Sequence, residues 1–179
     1  QVEAAGFHLD VGVLGAKAIL NALSENGEAE TAYKLAAQDT YPSWGCWIAN
    51  GATTLLENWD LNATRDISDN HMMFGEIGGW FYKGLGGIFP DPENPGFKHI
   101  LLRPNFPSGL NEFEARYQSP YGEICSKWER KKNRIFYHVT VPANSTATFY
   151  APDNVKGERA VNLEAGEHIL ELLLLRSSK

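Results

Sequence analysis

Cysteine is scarce in this sequence, with only Cys46 and Cys125 among 179 residues, far apart and outside any Cys-x-x-Cys spacing. Two thiols cannot build a disulfide framework, and both are expected to be free and buried. The five histidines are scattered, so no metal site and no cofactor is expected within the chain. There is no Gly-x-Ser-x-Gly, no Walker loop and no His-Glu-x-x-His, so the common nucleophile, phosphate and zinc-protease motifs are all missing. A basic stripe is also missing. The net charge is −6, and the only basic cluster, Arg130, Lys131, Lys132 and Arg134, reads as a solvated hairpin tip, so nucleic acid is not an expected partner. The longest apolar run near the end, Ile169 to Leu175, is broken by Glu171 and too short to span a bilayer, so no membrane partner is expected either. Repeats, low-complexity tracts and a positively charged apolar leader are lacking as well.

What is present is the balance of a soluble globular protein, 43% hydrophobic and 21% charged, whose pattern changes character part-way along. Leu9 to Ser24 reads as a helix apolar nearly all round, with Asp10 at its start and Lys17, Asn21 and Ser24 as a narrow polar stripe. Gly27 is its stop. Glu28 to Gln38 reads as an amphipathic helix with Ala29, Ala32, Tyr33 and Ala36 inward. Ser43 can cap a short helix from Trp44 to Asn50, ended by Gly51. A last helix is expected from His71 to Leu85, despite Gly75, Gly78 and Gly79 at roughly 1 kcal/mol each relative to Ala. Four or five helices cannot bury an all-apolar member among themselves, so this half is expected to need an upstream part of the same polypeptide.

From Gly84 the pattern turns to strands. Gly86, Gly87, Pro90, Pro92 and Pro95 read as a linker. Alternating stretches follow at 98–103, 112–119, 122–129, 134–141, 146–151 and 168–174, with turn signals between them such as Pro142-Ala143-Asn144. That spacing predicts an antiparallel sandwich. The expected division is residues 1–90 for the helices and 91–179 for the β domain.

The stretch Gly51-Ala52-Thr53-Thr54-Leu55-Leu56-Glu57-Asn58-Trp59-Asp60 holds the best candidate for chemistry. Glu57 lies between Leu55 and Leu56 on one side and Trp59 on the other, and a carboxylate in apolar surroundings suits proton transfer. The plainer alternative is a Glu paired with a cation or facing water. His71, following Asp69-Asn70, is either a site residue or a histidine satisfied by a nearby carbonyl.

Three of these stretches, in order, resemble the family 78 glycoside hydrolases, the α-L-rhamnosidases. They are Leu9-Asp10-Val11-Gly12-Val13-Leu14-Gly15 through Leu23-Ser24-Glu25-Asn26-Gly27; Tyr41-Pro42-Ser43-Trp44 with Gly51-Ala52-Thr53-Thr54; and Asn70-His71-Met72-Met73-Phe74-Gly75. Arg103-Pro104, Ser119-Pro120-Tyr121-Gly122 and the run from Val141 to Ala147 are similar to the family's C-terminal β-sandwich.

The resemblance implies an α+β multidomain chain, the terminal helices of an (α/α)6 toroid followed by an antiparallel β-sandwich. It implies a fragment of an inverting enzyme that cleaves terminal α-L-rhamnose from a rhamnose-containing carbohydrate. Glu57 matches the general base and His71 a sugar-binding histidine, with Asn70 beside it and Trp59, Trp44 and Trp47 as candidate sugar platforms. The general acid lies upstream in that family, so the chain alone is expected to be inactive. Two departures stand out. Leu56 and Asn58 replace the Trp and Arg that commonly flank the base, and the stretch from Glu57 to His71 is shorter than usual. A soluble protein of the bacterial periplasm or exterior is compatible with this reading. The rival readings are a non-catalytic carbohydrate-binding module, for which Tyr117, Tyr121 and Trp128 would form the aromatic row, and a structural piece without sugar chemistry.

Overall fold

Val11 sets where the first helix begins. Its carbonyl accepts the Trp59 Nε1–H at 2.8 Å, and Gly12 takes an extended N-cap conformation. Helix α1 therefore spans Val13–Glu25 rather than starting at Leu9. In this computed structural model residues 2–9 and 11–175 are described, so Asp10 lies outside the described residues. Asn26 caps the C-terminus and Gly27 follows at φ +83°, a left-handed conformation that glycine adopts without steric cost.

The chain forms two compact units, Gln1–Trp80 and Phe81–Lys179. In the first, α1 packs against α2 (Ala29–Ala36) and α4 (Glu76–Trp80). Ala16 and Leu20 of α1 are buried, as are Ala32 and Leu35 of α2. Leu35 was not in the expected inward set. The face of α1 bearing Leu14, Ala18 and Ala22 is uncovered, and Leu14 is 72% exposed. Val11, Val13, Ile19 and Leu23 are half-buried, so the apolar helix is covered on one side only.

Helix α3 (Trp44–Ala49) forms as its cap predicts, with the Ser43 hydroxyl accepting the Cys46 N–H at 3.0 Å. Gly45 is there because a side chain would run into the carbonyl of Gln38. The segment from Ala52 to Gly75 carries no regular element. The last helix starts at Glu76, not His71, and the His71 N–H is bonded to the Leu55 carbonyl at 2.8 Å.

The second unit opens with a π-helical turn, Phe81–Leu85, closed by the Gly86 N–H on the Phe81 carbonyl at 2.9 Å. Two sheets follow. One holds β1 (Ile88–Pro90), β2 (His99–Leu102), β6 (Thr146–Tyr150) and β8 (Ala160–Leu163) in that order. The other runs β3 (Glu112–Ser119), β4 (Gly122–Lys131), β5 (Arg134–Val141), β9 (Gly166–Leu174) and β7 (Val155–Lys156). All pairs are antiparallel except β2 with β6, where His99 faces Thr146 in parallel register. β1 occupies the stretch read as linker, pairing Ile88 with Leu102. Residues 81–90 are thus part of the β unit.

Inward-facing Ile100, Leu102, Ile124, Trp128, Ile135, Tyr137, Ala147 and Phe149 form the core of this unit. Buried polar groups there are satisfied in a chain. Tyr137 donates to Ser126 at 3.0 Å, and Ser126 donates to the Gly86 carbonyl at 2.6 Å, while the Trp128 indole N–H meets the Leu85 carbonyl at 3.1 Å. Burial pushes the Tyr137 phenol well above its ordinary range. Arg130 is not the solvated residue that the basic cluster suggested. Its guanidinium donates to the carbonyls of Leu110, Phe106 and Pro107 and fastens that loop to β4. Arg134 pairs with Glu171 across the β5–β9 ladder.

Candidate active site

Four hydrogen bonds bring residues 54–57 against residues 68–71. The Thr54 hydroxyl donates to the Asp69 carbonyl. The His71 N–H donates to the Leu55 carbonyl at 2.8 Å, and the Glu57 N–H to the Ser68 carbonyl at 3.0 Å. The Ser68 N–H returns to Glu57 Oε2 at 3.1 Å. Glu57 and Ser68 lie eleven positions apart in the chain, and this pairing is what closes the gap.

The consequence is a carboxylate with two distinct oxygens. Oε2 is held by a backbone amide, while Oε1 faces His71 Nε2 at 3.7 Å. That distance is too long for a hydrogen bond. His71 Nδ1 accepts the Met73 N–H at 3.3 Å, so a neutral ring carries its proton on Nε2, the nitrogen turned to Glu57. The Glu57 and His71 side chains are 26% and 22% exposed. Backbone pairing turns the carboxylate toward the 68–71 segment, where its partners are an amide and an imidazole.

Beneath this pair lies an aromatic cluster. Trp59 stacks on Trp47 with centroids 4.6 Å apart and planes at 27°, and Phe74 sets its edge on Trp59 at 4.6 Å and on Trp47 at 5.2 Å. Trp44 meets Trp59 edge-on at 5.3 Å. Such pairs add roughly 0.5–1.5 kcal/mol beyond area burial. The Trp44 indole N–H is taken by the Phe74 carbonyl at 3.1 Å and that of Trp47 by the Trp59 carbonyl at 3.2 Å. Trp44 and Trp47 are buried, with their faces and donors used internally, so they are the floor of the cluster and offer no open face to a sugar. Trp59 is half-buried, with its indole N–H on the Val11 carbonyl and its ring in the same cluster, and Asn70 is exposed beside His71. Among the described residues no group of three or more His, Cys, Asp or Glu gathers as a metal would require.

Ser68 did not stand out in the sequence, and Phe74 did so only as part of the stretch from Asn70 to Gly75. Ser68 acts through its backbone, which side-chain identity does not advertise. The aromatic row proposed for a binding module is also incomplete. Tyr117 and Tyr121 are exposed, but Trp128 is fully buried.

The bacterial α-L-rhamnosidase six-hairpin glycosidase domain matches residues 1–85, and the bacterial α-L-rhamnosidase C-terminal domain matches residues 87–166. The chain belongs to the bacterial α-L-rhamnosidase family. It is 34% identical to an α-L-rhamnosidase of Formosa agariphila over 100% of its own length and 20% of that protein's. An α-L-rhamnosidase of an Alteromonas species is 32% identical over 97% of the chain and 20% of the relative. The chain thus spans about a fifth of the length of the curated rhamnosidases it matches.

Solved rhamnosidases share its fold. That of Dictyoglumus thermophilum superposes with a TM-score of 0.86 at 29% identity, covering 96% of this chain and 22% of the other. That of Streptomyces avermitilis, solved in complex with L-rhamnose, gives 0.76 at 29% identity over 97% and 18%. The helices-then-sheets order is the architecture these rhamnosidase neighbours share with the chain. Among the described residues no helix is long and apolar enough to cross a membrane.

Proposed function

We propose that this chain supplies the general base and part of the sugar pocket of an inverting α-L-rhamnosidase, whose general acid comes from sequence outside residues 1–179. The observation that carries this reading is the Glu57 carboxylate, anchored at Oε2 by the Ser68 amide with Oε1 left to act. Membership of the rhamnosidase family and a relative solved with L-rhamnose support the sugar.

In this reading Oε1 of Glu57 takes a proton from water as the water attacks the anomeric carbon of the rhamnosyl unit. The upstream acid protonates the departing oxygen. An inverting pair stands about 6.5–9.5 Å apart, with the water between base and sugar. His71 bonds a sugar hydroxyl through Nε2–H, with Asn70 and Trp59 at the rim. The glycosidase part ends between Trp80 and Pro90, and the sandwich follows it as a separate domain.

The stereochemistry of the first product tests the mechanism. Proton NMR of an aryl α-L-rhamnoside digested by the full-length enzyme should show β-L-rhamnose before mutarotation. Initial release of the α anomer would exclude inversion.

A further inference from the structure

We infer that Thr54 is a positioning residue for Glu57, its hydroxyl fastening the loop that aims the carboxylate without itself touching substrate. The inference rests on reading Glu57 as the general base. Of the four bonds that tie residues 54–57 to residues 68–71, three are donated by backbone N–H groups, and the Thr54 hydroxyl is the one side-chain donor. It closes the pairing at the end opposite Glu57, on the carbonyl of Asp69, two residues before His71.

The reason this bond matters lies in what joins the two segments. Beyond Trp59, residues 60–67 form a largely exposed loop held by local turns, with the Asp60 N–H on Asn58 Oδ1 and the Asn62 N–H on Asp60 Oδ1, both at 2.9 Å. Asp66 sits at φ +52°, a conformation that favours few side chains other than Asn, Asp and Gly. Such a loop does not fix the distance between Glu57 and Ser68 by itself. The cross-bonds do, and the Ser68 amide can hold Oε2 only while residues 68–71 stay in register with residues 54–57. Trp59, pinned by its indole N–H to Val11 and by its carbonyl to Trp47, anchors the chain after Glu57, and Phe74, whose carbonyl takes the Trp44 indole N–H, anchors the chain after His71, so freedom enters through the loop that ends at Ser68 and Asp69. Thr54 is exposed, and losing its hydroxyl leaves the buried aromatic cluster untouched.

The test uses the full-length enzyme that contains this chain. Thr54→Val removes the hydroxyl and keeps the shape, Thr54→Ser keeps the hydroxyl, Thr54→Ala guards against a crowded valine, and Glu57→Gln runs in parallel. Misplacing a catalytic group by about 1 Å costs on the order of 10²-fold in rate. Valine and alanine should therefore lower kcat by about 10- to 100-fold with KM within about twofold, and serine should restore most of it. Melting temperatures should stay near that of the parent. Unchanged kcat in both hydroxyl-less variants beside an inactive Glu57→Gln would overturn the positioning role alone. So would a rise in KM without loss of kcat, or a serine variant as slow as the valine. A fully active Glu57→Gln would remove the base and the positioning role together.

Discussion

Glu57 and His71 face one another with Oε1 and Nε2 3.7 Å apart, and the Met73 amide, by donating to Nδ1, leaves the His71 proton on the nitrogen nearer the carboxylate. The pair therefore offers an acceptor and a donor side by side. Water or a sugar hydroxyl can bridge them, accepting from His71 and donating to Glu57.

Replacing His71 by alanine removes the donor and leaves the carboxylate in place. One neutral hydrogen bond is worth roughly 0.5–1.5 kcal/mol, and about 1.4 kcal/mol is tenfold in binding. In the full-length enzyme His71→Ala should raise KM on an aryl α-L-rhamnoside by up to about tenfold, with a smaller effect on kcat. Steady-state kinetics decides this. An unchanged KM would take His71 out of sugar binding.

Trp47 gives the opposite kind of outcome. Truncating a buried Trp to alanine costs roughly 3–5 kcal/mol, because the lost contacts leave a cavity. Trp47→Ala should therefore lower the melting temperature sharply. Calorimetry of the full-length variant reads it. A variant as stable as the parent but with weakened sugar binding would restore Trp47 as a platform and contradict its place in the core.

The isolated chain should neither hydrolyse rhamnosides nor stay dye-silent. On the proposed reading it carries the base without the acid, and it exposes Leu14 on α1 together with Ile48, Ile67 and Met72. Apolar area of that kind drives association or binds hydrophobic dyes. Sedimentation and dye fluorescence check the second point, and an aryl α-L-rhamnoside assay the first. Turnover by the pure chain that disappears in Glu57→Gln would show that the acid is not required from upstream.

Acid should weaken the β unit. The Arg116 side chain, bonded to Glu114 at 2.5 Å, holds the Glu114 carboxyl below its ordinary 4.5, and Asn94 with the Glu93 amide does the same for Asp91 below 3.8. A folded-state pKa below the unfolded one contributes stability that is present above the unfolded value. It is lost as pH falls through the folded one. Melting temperature should thus decline below about pH 4.5. In Arg116→Met the decline should be shallower, with slightly lower stability at neutral pH. Identical pH profiles would mean that Arg116 does not lower the Glu114 pKa.

The sequence announced the parts of this molecule that rest on local chemistry. Ser43 capped α3, Gly27 and Gly51 ended helices, and each of the six alternating stretches became a strand between its turn residues, with burial alternating cleanly along β2 and β5. What it hid depends on distant partners. β1 pairs with β2 across a Pro-rich stretch, and α1 starts late because of an indole 48 residues away. Arg130 looked solvated because the three carbonyls it binds lie 20 to 24 residues away. Glu57 and His71 were legible as residues. Their meeting was not, since it depends on backbone bonds across an irregular loop.

The most direct measurement of the central claim is chemical rescue of Glu57→Ala in the full-length enzyme. General acid–base catalysis contributes about 10²–10⁴-fold, so kcat on an activated aryl α-L-rhamnoside should fall by that order with KM little changed. Azide needs no deprotonation, and it fits the space the carboxylate leaves. It should restore turnover and yield β-L-rhamnosyl azide. A Glu57→Ala enzyme that hydrolyses at the parent rate, or an α-configured azide product, would contradict Glu57 as the base that activates water.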